Sequence, residues 1–348
     1  MNLLHGVGDF FSLDIGTNSM RIIQLVGDDK NGWSLIRYAY VPIEPRLTAD
    51  QTDLGRKRLG EAILGAVEQA GIKTKSVAVG LPASKTFTSI VETDTLPEKE
   101  LQKTFKYEID KYVPMPMSDA KADYVILGPS PNDPMKTEVL VSSVARSYAE
   151  PYLETIEKTG LSVIAMEPEP LAMARSLSLP GAIDATMIVD FGEKSTDLVI
   201  TYQNKPRLVR SIPGGFDQFL NAVTAGLGVT EDQARQFILK FGLSEEQVEG
   251  QVFKILVPSI DTYASELAKS VRFFQTKYLN GKVGSIVLSG YASMIPLFAE
   301  YIEAKTNIPV IKGNPWQLVR TTPEQQHALM PVASEFAVVI GLSERSND

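Results

Sequence analysis

The stretch "FSLDIGTNSMRIIQL", from Phe11 to Leu25, places Asp14 and a glycine turn between two apolar runs. Two strand-like runs around a short glycine-containing turn are typical of a β-hairpin. Such a hairpin is either an ordinary turn, capped by the aspartate, or a cradle whose glycine lets backbone N–H groups approach a phosphate. The rest of the chain has to decide between these two interpretations.

A second stretch, "MIVDFGEKSTDLVITY" (187–202), repeats the pattern about half a chain later. The two stretches align at three pairs of residues, which are Asp14 with Asp190, Gly16 with Gly192, and Ser19 with Ser195. A single hairpin of this kind has an ordinary explanation. Two copies in register favour a duplicated domain with a site between its halves.

Two facing hairpins of this kind suit a nucleotide triphosphate with magnesium. The leading aspartates, Asp14 and Asp190, can each hold the ion through waters, because magnesium keeps much of its hydration shell. Small hydroxyl and amide side chains add neutral hydrogen-bond donors, and these are Thr17, Asn18, Ser19, Ser195 and Thr196. Turn capping is the alternative role for both aspartates.

Composition excludes several classes of function. The chain has 348 residues, of which 44% are hydrophobic and 22% charged, enough for two domains with separate cores. It has no cysteine and only two histidines, His5 and His327, so we expect neither disulfides nor a histidine metal cluster. A net charge of −8 without a basic block disfavours nucleic-acid binding. No signal peptide or membrane span is recognisable, which predicts a cytoplasmic protein.

At this point the residues resemble the actin, FtsA and DnaK-type ATPase superfamily. The two stretches above resemble its phosphate motifs, and "SIVLSGYASMIPLF" (285–298) resembles its adenosine motif. "MEPEPLAMARSL" is similar to the connecting helix, "IPGGFDQFLNAV" to the turn after the second hairpin, and "EFAVVIGLS" to the closing helix. These matches follow the order of the superfamily and span nearly the whole chain.

Within the superfamily, the chain is most similar to the PilM family of type IV pilus assembly proteins. "FKYEIDKYVPMPMSDAKADYVIL" resembles the family's "E…YVPFP…DY" pattern. This segment lies in an inserted subdomain, called 1C and of the SHS2 type, which FtsA shares and in whose place actin carries a different one. The resemblance implies an α/β fold, namely a duplicated actin-like (ribonuclease H-like) nucleotide-binding fold with an FtsA-type 1C insertion.

The implied subdomains are 1A (10–82, 162–180 and 334–345), 1C (83–161), 2A (181–223 and 282–333) and 2B (224–281). Each half is expected to contain a five-stranded sheet. The closing helix is expected to pack back on the first half.

The resemblance implies ATP and Mg²⁺ as ligands, with Asp14 and Asp190 near the metal. The implied nucleotide contacts are Gly16, Thr17, Asn18, Ser19, Arg21, Gly192, Glu193, Lys194, Ser195, Thr196, Gly214, Gly215, Gly290, Tyr291 and Ser293. Glu167 and Glu169 are alternative candidates for orienting an attacking water, and each could instead be an acid that complements the dipole at the start of a helix.

Three departures from the superfamily pattern bear on activity. Arg21 stands where a lysine is usual, and Tyr291 stands where a second glycine is common. Glu193 and Lys194 interrupt the usual glycines of the second hairpin, and Lys194 is a candidate to offset the charge of Glu193 near phosphate. We therefore expect ATP binding with at most slow hydrolysis.

The resemblance further implies a cytoplasmic scaffold of the pilus inner-membrane platform, peripheral at the inner face of the membrane. The implied partners are the N-terminal cytoplasmic peptide of PilN and other platform proteins, and the chain could also form a homo-oligomer. Candidate residues for the peptide groove are Tyr107, Tyr112, Pro114 and Met115. The alternative is that Tyr112 and Pro114 only shape the end of a helix.

Other classes remain as alternatives. An FtsA-like cell-division filament protein would need a C-terminal amphipathic helix, whereas the chain ends on the polar "GLSERSND". A small-molecule kinase of the same superfamily would need a catalytic base and a substrate pocket that the sequence does not reveal. A DnaK-type chaperone would need a peptide-binding domain, for which no residues remain.

Overall fold

The computed structural model describes residues 9–28, 31–179 and 181–345. The expectations of no signal peptide and no C-terminal amphipathic anchor rest partly on residues 1–8 and 346–348, which lie outside the described residues.

The described residues form strands and helices in alternating groups. The strands are β1 (Phe11–Ile15), β2 (Ser19–Asp28), β3 (Gly32–Pro42), β4 (Ser76–Leu81), β5 (Thr86–Asp94), β6 (Ala120–Pro129), β7 (Lys136–Ala145), β8 (Ser162–Pro168), β9 (Ala185–Phe191), β10 (Ser195–Tyr202), β11 (Lys205–Pro213), β12 (Val283–Gly290), β13 (Val310–Lys312) and β14 (Val319–Arg320). The α-helices are α1 (Pro45–Ala49), α2 (Asp53–Ala70), α3 (Glu98–Glu108), α4 (Arg146–Glu157), α5 (Glu169–Leu177), α6 (Phe216–Leu227), α7 (Glu231–Phe241), α8 (Gln251–Lys277), α9 (Phe298–Thr306), α10 (Pro323–Leu329) and α11 (Ala337–Ser343).

The chain forms two compact units. The first contains the chain up to Ser176 and again from Asn314, and the second is Leu177–Gly313. Residues 314–333, which the sequence analysis assigned to the second half, therefore lie with the first unit. The physical reason is β14, which pairs in parallel with β3 and adds a sixth strand to a sheet expected to have five.

The first unit is built on a sheet with the strand order β14-β3-β2-β1-β4-β8. Strands β1 to β3 are antiparallel, and β4 and β8 continue the sheet in parallel with β1. Helix α2 buries Leu59, Ile63 and Val67, which recur at helical spacing, in a cluster with Ile22. Ile23 belongs to the cluster of the fully buried helix α11, because successive strand residues point to opposite faces.

The second unit repeats this plan. Its sheet has the order β11-β10-β9-β12-β13, with β9 to β11 antiparallel and β12 and β13 parallel to β9. Both sheets thus order their strands third, second, first, fourth, fifth, with the same senses of pairing. Helices α6 and α8 pack against each other over a core in which Phe191 contacts Phe219, Tyr263 and Phe298. This common topology is what the duplication inferred from the two hairpins requires.

A third, smaller sheet interrupts the first unit. It is antiparallel, with the order β5-β7-β6, and falls within the segment expected to be inserted. Helix α3 and the 3₁₀ turn after it bury Phe105 and Ile109 against Val139 and Val141 of the central strand. Phe105 and Ile109 therefore belong to the core of this small sheet.

Candidate functional site

The first hairpin turns tightly between β1 and β2. The N–H of Gly16 donates to the carbonyl of Ser19 (3.0 Å), and Asp14 lies directly opposite Arg21 on the paired strands. The Arg21 guanidinium reaches back along the hairpin, and its Nη2 lies 2.9 Å from Oδ2 of Asp14. A Cβ atom on Gly16 would collide with that same Nη2. Glycine is thus needed here for the arginine to reach the aspartate.

Asp14 is nearly inaccessible, with a side chain only 4% exposed. Burial raises the pKa of Asp14, and the neighbouring Arg21 partly offsets this increase. A divalent cation would favour the ionised form in the same way as Arg21. The aspartate therefore has the chemistry of a metal-associated carboxylate that an arginine holds in place in this structure.

Glu335 is a member of this cluster that the sequence analysis missed. It lies in the 3₁₀ segment Met330–Phe336, and its Oε2 is 3.2 Å from Nη1 of Arg21. The hydroxyls of Ser19 (3.3 Å) and Tyr40 (3.1 Å to Oε1) also donate to its carboxylate. Since 314 residues separate Glu335 from Arg21, no local pattern could reveal the pairing.

The two candidate glutamates differ in their surroundings. Glu167, at the end of β8, forms ion pairs of 2.8 Å with both Arg175 and Arg345. Burial alone would raise the pKa of Glu167, but these two arginines outweigh it and lower the pKa. Glu169 begins α5, and a Cβ on Gly80 would lie 3.2 Å from its Cγ and 3.6 Å from Oδ1 of Asp14. Glu169 is thus close to the first hairpin. Glu167 forms ion pairs with two arginines.

The second hairpin has the same turn. The N–H of Gly192 donates to the carbonyl of Ser195 at 3.0 Å, as Gly16 does to Ser19. The turn at Gly214 and Gly215 packs directly on it. A Cβ on Gly215 would collide with the carbonyl of Gly192, and the Thr196 hydroxyl donates to the carbonyl of Gly214 (3.0 Å). The structure therefore brings these predicted site residues together.

The turn after β12 also approaches the second hairpin. Gly290 has a positive φ of 63°, and a Cβ there would lie 2.8 Å from Oδ1 of Asp190 and 2.6 Å from the carbonyl oxygen of Phe191. The Ser293 hydroxyl donates to the carbonyl of Gly290 (2.7 Å), so this side chain stabilises the turn itself. Tyr291 stacks on Phe216, with ring centroids 4.3 Å apart. A stacked pair of aromatic rings thus lies at the position where the superfamily often has a glycine.

The charge of Glu193 is offset by Arg235 of α7. Nη2 of the arginine lies 2.7 Å from Oε1 of Glu193, and its guanidinium also covers the rings of Phe216 (4.8 Å) and Tyr291 (5.6 Å). Lys194, the partner considered from the sequence, is exposed. Arg235, which the sequence analysis missed, is the ion-pair partner of Glu193 in the structure. Sequence proximity favoured the lysine, whereas packing of α7 on the aromatic pair brings in the arginine.

Asp197 is a second residue that the sequence analysis missed. It lies directly opposite Asp190 on the paired strands, at the position that Arg21 occupies opposite Asp14. Burial raises the pKa of Asp197 to about 7, with a hydrogen bond from Ser211 lowering it and the charge of Asp190 raising it. The signal was present, because Asp197 follows Asp190 by the same seven residues that separate Arg21 from Asp14.

Each hairpin supplies carboxylates but, within the described residues, no metal site built from protein ligands alone. Among the described residues, no group of three or more histidine, cysteine, aspartate or glutamate side chains could hold a metal by itself. Magnesium typically binds one or two carboxylates together with waters and phosphate oxygens. Asp14, Asp190 and Asp197 are carboxylates suited to that role.

The candidate partner residues divide into two kinds. Tyr107 is 84% exposed, and Pro114 is also exposed. Tyr112 stacks on Phe105 with centroids 5.4 Å apart, and Met115 packs against the core of the small sheet. Tyr107 and Pro114 are thus accessible to a partner, while the other two side chains also support the fold.

Within the described part of the chain, no helix is both long and apolar enough to span a membrane.

Comparison with known proteins gives a consistent result. The sequence model of the family "Type IV pilus assembly protein PilM" matches residues 12–347. The structure is similar to that of a PilM-PilN type IV pilus biogenesis complex, with a TM-score of 0.81, 20% identity, and coverage of 98% of this chain and 99% of that chain.

Two further structures share the fold at lower similarity. Ethanolamine utilization protein EutJ from Carboxydothermus hydrogenoformans gives a TM-score of 0.54 at 12% identity, covering 97% of this chain and 90% of that one. MreB 5 of Spiroplasma citri bound to AMPPNP gives 0.54 at 12% identity, covering 96% and 95%. These likenesses confirm the actin-like α/β fold predicted from the sequence.

Proposed function

The chain belongs to the type IV pilus assembly protein PilM family, and from this membership we propose that it is an ATP-binding scaffold of the pilus inner-membrane assembly platform. The observation that carries the nucleotide part is the equivalence of the two hairpins. Each unit has a leading aspartate followed by a glycine whose N–H donates to a serine carbonyl. The same construction in both units is hard to explain by turn capping alone.

In this proposal each hairpin contributes to binding of the nucleotide phosphates. Backbone N–H groups of the two glycine turns and the small hydroxyls of Ser19, Ser195 and Thr196 are the neutral donors. Magnesium, when bound, would neutralise phosphate charge, and Asp14 and Asp190 would hold it through waters.

Hydrolysis, if it occurs, would be slow. Glu169 is the better-placed residue to orient a water, because it lies beside Gly80 and Asp14, whereas Glu167 is paired with two arginines. The departures from the superfamily pattern that were named above also favour ATP binding over hydrolysis. They lie at Arg21, Glu193, Lys194 and Tyr291. ATP would then act as a structural ligand or a slow switch.

The proposed partner is the N-terminal cytoplasmic peptide of PilN, which would hold the chain peripherally at the inner face of the membrane. A similar solved structure is a PilM-PilN complex, which supports this assignment. We propose that the small sheet (β5-β7-β6) is the FtsA-type 1C subdomain and contributes the peptide groove. The exposed Tyr107 and Pro114 are the accessible candidates among the predicted contacts.

Calorimetry tests the nucleotide part of the proposal. After removal of co-purified nucleotide, the wild-type protein is titrated with ATP in the presence and in the absence of magnesium. We expect magnesium-dependent binding at millimolar ATP or below. If no heat and no retention of labelled ATP appears at millimolar nucleotide, the proposed nucleotide function is wrong.

A second experiment tests the partner. Tyr107→Ala should weaken binding of a fluorescently labelled PilN N-terminal peptide at least severalfold, since exposed aromatic side chains are frequent anchors of interfaces. Phe273→Ala is the matched control, because Phe273 is also an exposed aromatic residue, 60% accessible, but lies in the second unit. Equal peptide affinity in the two variants would remove Tyr107 from the groove.

A further inference from the structure

The carboxylate of Glu335 accepts hydrogen bonds from groups that the proposal assigns to phosphate. Its Oε2 lies 3.2 Å from Nη1 of Arg21 and 3.3 Å from the hydroxyl of Ser19. A carboxylate and a phosphate oxygen attract the same donors, namely guanidinium N–H and hydroxyl groups. Glu335 thus engages two of the predicted phosphate contacts of the first hairpin.

Asp14 and Glu335 contact different nitrogens of Arg21. The Asp14 ion pair with the arginine is the shorter of the two, 2.9 Å against 3.2 Å, and uses Nη2 rather than Nη1. The guanidinium also lies against Gly16, which leaves room for it only because glycine has no Cβ. Asp14 thus pairs with Nη2 of Arg21, and Glu335 pairs with Nη1, the donor that a phosphate would also use.

The net charge of this cluster also opposes phosphate binding while Glu335 contacts Arg21. Asp14, Arg21 and Glu335 together carry a formal charge of −1, which repels an incoming phosphate. If Glu335 withdraws from Arg21, the remaining pair is neutral and the Nη1 donor becomes available. The hydroxyl of Tyr40 lies 3.1 and 3.2 Å from the two oxygens of Glu335, so the carboxylate can keep one partner after leaving the arginine.

We infer that Glu335 competes with the nucleotide phosphate for Arg21 and Ser19, and so sets the affinity of the first hairpin for ATP. The inference rests on the proposed nucleotide binding, and it concerns a residue from the far end of the chain. The segment that carries Glu335 is fixed by Phe336, which is fully buried and packs on Trp316. Binding of phosphate therefore moves the Glu335 side chain and leaves the segment in place.

The direct test is Glu335→Gln, which keeps the shape of the side chain and its contact with Tyr40 but removes the competing charge. ATP affinity in magnesium should rise roughly two- to fivefold, the effect expected when one partly exposed ion pair no longer has to be broken. Glu61→Gln is the control, since this exposed carboxylate of α2 lies in the same unit and removes the same charge from the protein. The control should leave ATP affinity unchanged.

A second variant separates contact from long-range charge. Glu335→Asp keeps the charge but shortens the side chain by one methylene, which draws the carboxylate away from Nη1. It should also raise ATP affinity, by less than the glutamine variant. Inorganic tripolyphosphate, used without a base or ribose, should show the same order of affinities, because the contested donors belong to the phosphate site.

The possible outcomes are distinct. Tighter binding by Glu335→Gln, with an equal or slightly lower melting temperature, supports competition, since a purely structural role would lower affinity and stability together. Unchanged or weaker ATP binding by this variant, while the wild type binds ATP, overturns the inference and leaves the proposed function standing. If neither protein binds ATP or tripolyphosphate, both the inference and the proposed nucleotide function are wrong.

Discussion

Replacing Asp197 by asparagine should stabilise the protein at alkaline pH and have little effect at acidic pH. The pKa of Asp197 is raised from 3.8 to about 7, chiefly by burial. A raised pKa means that the folded state binds this proton more tightly than the unfolded state does. The free energy of unfolding therefore falls as pH rises from about 4 to about 7, and it stays low above that range.

The magnitude follows from the pKa shift. A difference of roughly three units between the folded and the unfolded pKa corresponds to about 4 kcal/mol at 1.36 kcal/mol per unit. Asparagine has nearly the same shape and can still accept the hydrogen bond from Ser211, but it does not ionise. We expect Asp197→Asn to raise the free energy of unfolding by about 2–4 kcal/mol at pH 8, with the difference falling as pH is lowered and closing near pH 4.

Scanning calorimetry between pH 5 and pH 8 is the suitable assay. Both tryptophans, Trp33 and Trp316, lie in the first unit, so tryptophan fluorescence would not follow unfolding of the second. Asp184→Asn is the control, because this exposed carboxylate lies in the same unit as Asp197. A difference between wild type and Asp197→Asn that does not vary with pH would refute the assignment of a high pKa to this residue.

Four further predictions concern the hairpins and the two glutamates. Asp190→Ala should weaken magnesium-dependent ATP binding by about 1–3 kcal/mol, as measured by calorimetry, because a charge-assisted contact to the metal shell is lost. Gly16→Val should weaken it as well, since a side chain there displaces the Arg21 guanidinium, and unchanged affinity would contradict this geometry. Glu167→Gln should lower the free energy of unfolding by about 1–3 kcal/mol, because the charge-assisted bonds to two arginines are weakened. Glu169→Gln should slow any ATP hydrolysis, as measured by phosphate release.

Local patterns were enough to predict the fold because the chain repeats its own topology. The Asp14 and Asp190 stretches each contain two strands and a turn within sixteen residues. The two strands of each stretch pair locally, so the hairpins could be predicted from the sequence. Hydrophobic spacing and turn residues act over short distances, which is where a single sequence carries most of its information.

Apart from Asp197, the parts that sequence reasoning missed depend on contacts between distant segments. Glu335 reaches Arg21, and Arg235 reaches Glu193, only after helices and strands have packed together. The membership of residues 314–333 in the first unit has the same cause, because the two-residue strand β14 has too few residues to form a recognisable pattern. These pairings follow from tertiary structure and have no signature in the local sequence.

The two hairpins share their backbone but differ in charge at one equivalent position. Arg21 lies opposite Asp14 in the first, whereas Asp197 lies opposite Asp190 in the second. The first pair is neutral when both groups are ionised, and its arginine can contact a phosphate. The second pair favours a bound proton or a cation, because two facing carboxylates in a buried setting repel each other. If the proposed nucleotide binding is correct, we therefore expect Arg21 to contact a phosphate and the facing pair Asp190 and Asp197 to favour the cation.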